Sequence, residues 1–205
     1  MARAEIKFGL PVMAFGSATA WEEWLGRQPR LSKGTWLKLA KQDSGIRSVS
    51  KTEAIDGALC HGWIDGQLQK YDENCWLIRF TPRGARSKWS KLNQGRAQAL
   101  MDQGRMSAAG LEEVSRAKAD GRWEAAYAPQ STAEVPADLQ AALNKNAKAR
   151  RMFSELDRVN RYAILYRVHD ARKPETRAAR IDKFVKMLAR GETIHRMKKK
   201  KSAAI

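Results

Sequence analysis

Residues 63–81 alternate twice around a short polar break, and few folds can accommodate that pattern. Trp63 to Lys70 and Cys75 to Thr81 each read as a strand, with Tyr71-Asp72-Glu73-Asn74 between them at hairpin-loop length. Side chains alternate across a strand, so Cys75, Leu77, Arg79 and Thr81 share one face, while Trp76, Ile78 and Phe80 share the other. The second face is the one a core would take. Arg79 is therefore expected to point away from that core, towards solvent or a ligand.

Two further strands are expected, at 10–15 and 35–41, the first carrying Pro11 near its start and the second alternating apolar with basic residues from Trp36. Helix starts are marked by caps. Ser17 precedes Trp21, Trp24 and Leu25 at helical spacing, and Ser50 with Glu53 forms a capping-box pattern before a helix that should stop near Gly62. Ser90 or Asn93 opens a helix through Met101, and Ser107 opens another that buries Ala108, Leu111, Val114 and Ser115. After a linker at 128–136 the chain reads as all helix, with Pro174 at the first position of a last helix that buries Ala178, Ile181, Phe184, Val185 and Leu188. The expected fold class is α+β, a small antiparallel β-sheet covered by helices with a helical C-terminal segment. Its parts are a core over 1–128, a segment over 136–192 packing on the same domain, and a basic flexible tail over 193–205.

Composition excludes some classes of function. Apolar residues form 43% of the chain and charged residues 30%, a globular balance. No apolar run approaches the roughly 20 residues of a membrane span. The start of the chain is charged throughout and lacks the apolar stretch of a signal peptide, so a cytoplasmic location is expected. Such a chain keeps its two cysteines, Cys60 and Cys75, reduced, and their spacing with His61, His169 and His195 matches no zinc site. No cofactor is expected. Charge is uneven: 20 basic residues face 16 acidic through residue 144, and 19 face 6 from 145 onward, so +13 of the net +17 lies in the last third. Such a field attracts polyanions.

Three separated blocks stand out: Ala58-Leu59-Cys60-His61-Gly62-Trp63-Ile64-Asp65-Gly66, then Arg79-Phe80-Thr81-Pro82-Arg83, then Ser87-Lys88-Trp89-Ser90-Lys91. In this order they resemble the central signature of the bacterial YdeI/OmpD-associated, or bacteriocin-protection, family. The stretches at 104–111 and 117–123 and the block Ala171 to Ile181 are similar to its later parts, so the resemblance runs over about residues 10–192. His61 departs from the pattern, where an apolar or aromatic residue is more usual. The resemblance implies a role in tolerance of toxic proteins or stress, and it implies no established reaction or cofactor.

The candidate ligand site is the hairpin and the loop after it: Trp63, Asp65, Arg79, Thr81, Arg83, Ser87, Trp89 and Ser90. Guanidinium groups suit phosphate or carboxylate, and indoles offer a stacking face, so an anionic small molecule or nucleic acid is the expected partner. Lys88, Lys91, Arg177, Arg180 and Lys183 are candidate polyanion contacts. Two other readings stay open. One is a nucleic-acid-binding module built on the basic C-terminal helices; the other is a small-molecule enzyme with Asp65 in a pocket. No nucleotide-binding loop or zinc-protease motif occurs, and the oligomeric state is left open.

Overall fold

The computed structural model describes residues 5–197. They form two compact units that divide between Ala126 and Tyr127. The N-terminal unit contains β1 (Ile6–Lys7), β2 (Leu10–Ala14), α1 (Ala18–Gly26), β3 (Thr35–Ala40), α2 (Lys51–Cys60), β4 (Trp63–Lys70), β5 (Cys75–Pro82), α3 (Lys91–Asp102) and α4 (Ala108–Ala119). The fold class is α+β. The sheet has strand order β1-β2-β3-β5-β4 and is antiparallel except where β2 runs parallel to β3. That parallel pair departs from the all-antiparallel expectation. It follows from the α1 crossover between β2 and β3, the kind of connection parallel neighbours require. The buried Thr35 hydroxyl donates to the Pro11 carbonyl at 2.9 Å and fastens the two strands together.

The expected caps all form. Ser17, Ser50, Ser90 and Ser107 each accept the backbone N–H three residues on, and Ser50 and Glu53 close the full capping box. Loss of such a cap typically costs about 1 kcal/mol. One face of the sheet, with Leu37, Leu39, Trp63, Ile78 and Phe80, packs with Trp21, Leu25, Ala54 and Ala58 from α1 and α2 into the main core. A second core joins α2 to α3 and α4 through Leu59, Cys60, Trp89, Leu100, Val114 and Trp123.

The buried stripe of α4 differs from the expected one. It runs through Gly110, Glu113, Val114 and Ala117, while Leu111 is exposed. Gly110 sets this rotation: a Cβ there would lie 2.3 Å from the Cys60 carbonyl oxygen, so only a glycine lets the two backbones approach so closely.

The C-terminal unit contains α5 (Ala137–Asn144), α6 (Ala147–Glu155), α7 (Arg158–His169) and α8 (Pro174–Ala189), packed around Leu139, Leu143, Phe153, Ile164, Val168, Ile181, Phe184 and Leu188. Ala178 is exposed and Val185 only half-buried, contrary to expectation. The inward face of α8 begins instead at Arg177, one turn before Ile181, whose guanidinium bonds Asp138 at 2.9 Å and the Val168 carbonyl at 2.9 Å. No described helix is long and apolar enough to cross a membrane. Of the expected basic tail, residues 198–205 lie outside the described part.

Candidate functional site

Register decides which of the candidate residues can meet. Trp63 pairs with Pro82, Ile64 with Thr81, and Asp65 with Phe80, before a bulge between Asp65 and Leu68. Residues directly opposite each other share a face, so Trp63 and Asp65 lie on the side of Phe80 and the main core. Arg79 and Thr81 lie on the opposite side of the sheet. Trp63 is buried and meets Trp24 edge-on at 5.8 Å between ring centres, and half-buried Asp65 accepts from the Asn93 amide at 3.5 Å.

The loop after β5 takes up four more candidates. Arg83 is only 5% exposed, its guanidinium carbon lies 3.6 Å from the Trp89 ring centre, and its Nη1 donates to the Lys88 carbonyl. The Ser87 hydroxyl accepts the Gly84 N–H, the Ser87 carbonyl accepts Arg122 Nη1 at 3.0 Å, and Ser90 caps α3. These contacts shape the loop. Lys88 and Lys91 are exposed beside it.

The opposite sheet face carries a different arrangement. Phe80 and Ile78 are fully buried in the main core, and Arg79 is half-buried on the other side. Arg79 stands directly opposite Trp36 of β3, which the sequence marks as a strand residue and not as a site candidate. Trp36 is 2% exposed and packs with Leu10 and Leu77. Both the Trp36 Nε1 and the Arg79 Nε are buried without a hydrogen-bond partner. Two adjacent cross-strand side chains therefore each hold an unanswered N–H donor. Around them, Tyr71 is flanked by the ammonium groups of Lys7 and Lys38, each 4.1 Å from its ring centre, and its hydroxyl donates to Glu5 at 2.7 Å. Phe8, 75% exposed, reaches Trp36 at 5.7 Å from the tight β1–β2 turn, where it adopts a φ of 49°. A phenylalanine in that region is strained.

Three clefts among the described residues of the N-terminal unit bear on the candidate residues. The first, of about 340 Å³, is walled by α1, the His61-Gly62-Trp63 turn, Pro82-Arg83 and the start of α4, including Glu112 and Glu113. The second, of about 480 Å³, includes Glu22, His61 and Arg105. The third, of about 210 Å³, includes Phe15, Arg47 and Cys75. Asp65 is in the wall of none of them. Burial pushes the His61 imidazole below its ordinary value and the Cys60 thiol up to about 11, so neither resembles an activated nucleophile–base pair. Both cysteines are free, and among the described residues no group of three or more His, Cys, Asp or Glu side chains could hold a metal ion.

In the C-terminal unit, Arg177 is held by Asp138, and Arg180 donates to the Arg167 carbonyl and lies 3.6 Å from Asp170. Lys183 is exposed.

Residues 132–191 match the family model described as Bacteriocin-protection, YdeI or OmpD-Associated, and residues 13–113 match one described as a domain of unknown function (DUF8412). The first match takes in the block from Ala171 to Ile181 and the second takes in the hairpin blocks, so the blocks along the chain fall under two models. No curated protein and no solved structure matches the chain.

Proposed function

The chain carries a domain of the YdeI/OmpD-associated, bacteriocin-protection family, and on that premise we propose that it protects the cell by binding, taking an oxyanion on the sheet face at Arg79 and Trp36. One observation carries this reading: the two neighbouring N–H donors that are buried there without acceptors. An unmet buried donor costs about 1–3 kcal/mol, and a hydrogen bond to a charged oxygen recovers about 1.5–3 kcal/mol. The guanidinium of Arg79 supplies charge and Trp36 supplies direction, while Lys7 and Lys38 nearby are paired with Glu5 and Asp72 at 3.9 Å. The protein works in the cytoplasm on this proposal, a compartment that suits its two free thiols.

Calorimetric titration with pyrophosphate at low salt tests the site. Binding to the wild-type protein and its loss in Arg79→Met are expected; a wild-type protein that takes up no pyrophosphate sinks the site. Bacteriocin challenge of a strain lacking the gene tests the role, and unchanged survival counts against it.

A second reading rests on the charge of residues 145–205, where exposed Lys148, Arg150, Lys173 and Lys183 offer phosphate contacts. It requires nucleic-acid affinity that falls steeply with salt, because each phosphate contact releases counterions. Arg177 and Arg180 are tied up internally and contribute less to such a surface than their number suggests. Binding that ignores salt would dispose of this second reading.

A further inference from the structure

The cleft of about 340 Å³ contains a second unanswered group, on the other side of the sheet from Arg79. Glu113 is 5% exposed and forms part of its wall. Its Oε1 is ion-paired with Arg116 at 3.1 Å and faces Arg30 at 3.6 Å. Its Oε2 is buried with no hydrogen-bond partner. A carboxylate oxygen in that position requires a donor.

The chain places the carboxylate there deliberately. Gly62 adopts a φ of 72°, and a Cβ on it would lie 3.0 Å from both Glu113 Cγ and the Ala109 carbonyl oxygen. A larger residue at 62 would displace the glutamate. Charge in the wall balances, with Arg30 and Arg83 against Glu112 and Glu113, and burial lowers the His61 imidazole below its ordinary value. A free cation would meet the arginines, and a free anion would meet the glutamates. Leu25, Trp63 and Pro82 give the same cleft an apolar side.

We propose that this cleft binds a small uncharged molecule that presents an amide-type N–H to Glu113 Oε2 and lays an apolar body against Leu25, Trp63 and Pro82. An amide carries its donor and acceptor side by side, which matches a carboxylate set beside guanidinium groups. The site is separate from the oxyanion face, and it stands or falls independently of it.

Benzamide, benzoate and benzamidine have nearly one shape and three charges, so they serve as probes. Each is titrated into the full-length protein and followed by the backbone amide spectrum. Benzamide is expected to shift Gly62, Trp63 and Glu113 saturably, at least tenfold more tightly than the other two, and to leave Trp36 and Arg79 unmoved. Glu113→Gln supplies the second arm. The Arg116 guanidinium lies 3.1 Å from the Oε1 position, so the carbonyl of the new amide stays there and its NH₂ replaces Oε2. A donor then stands where an acceptor stood, and preference is expected to turn at least tenfold towards benzoate. No saturable shift from benzamide in the wild-type protein overturns the proposal. So does a wild-type preference for benzamidine or benzoate, or a folded Glu113→Gln protein that still prefers benzamide. The wild-type arm decides by itself if that variant does not fold.

Discussion

Arg79→Met separates what the fold wants from what the proposed site wants. Methionine keeps an apolar stem beside Trp36 and removes a guanidinium whose Nε is buried without a partner. Relief of that orphan is worth about 1–3 kcal/mol, and imperfect repacking takes back less than about 1.5 kcal/mol. The variant is therefore expected to be more stable than wild type by about 1 kcal/mol in plain buffer, a rise of roughly 3 °C for a unit of this size. Pyrophosphate reverses the order. At about 100 times its dissociation constant it stabilises the wild type by about 2.7 kcal/mol and leaves the variant unchanged. Tryptophan fluorescence during urea unfolding reads this directly, because all seven tryptophans, the last being Trp123, precede the division at Ala126. A variant that is less stable in plain buffer, or that gains as much from pyrophosphate as wild type, refutes the reasoning.

Three further outcomes follow from the packing and the titrating groups. Gly110→Ala forces a methyl to within 2.3 Å of the Cys60 carbonyl oxygen, and a loss of about 3 kcal/mol in the urea unfolding free energy is expected. Glu113 has its carboxyl raised above the ordinary 4.5, by burial first and against the pull of Arg30, Arg122 and Arg83. A raised acid weighs against the fold above its folded-state pKa and stops doing so below the unfolded value. Glu113→Gln should therefore exceed wild type in urea midpoint near pH 7, with the gap closing as pH falls towards about 4.5; a gap that widens on acidification contradicts the shift. Cys60 and Cys75 are buried and the Cys60 thiol sits at about 11, so a disulfide-exchange dye should label neither in native protein and both in denaturant.

Local chemistry was readable along the chain where each cause lies within a few residues. Ser50 with Glu53 announces a helix, and the alternation through Cys75, Leu77 and Arg79 announces a strand whose arginine leaves the core. What lay beyond reach depends on partners distant in sequence. Nothing in β2 or β3 says that they run parallel, and β1 has two residues, too few for a period. α6 offers one deeply buried aromatic, Phe153, among basic neighbours, so its nine residues carry little local sign of the core they help to form. The candidate site suffered most from this limit. Trp63 and Asp65 fall on one sheet face and Arg79 on the other because of pairing register, and the same register brings Trp36 beside Arg79. Glu113 looks from its neighbours like an ordinary outward acid. Only the approach of α4 to Cys60 through Gly110 turns it inward.

That approach also decides where the first cleft can yield. The Cys60 carbonyl accepts both the backbone N–H of Ser107, at 3.0 Å, and its hydroxyl, at 2.7 Å, so the end of α2 and the start of α4 move as one piece. On the facing rim, Arg30 is tied to α4 through an exposed ion pair with Glu112, which solvent screens. Arg30 is thus the more weakly held part of that rim: salt screens its pair with exposed Glu112 more than its 3.6 Å approach to buried Glu113.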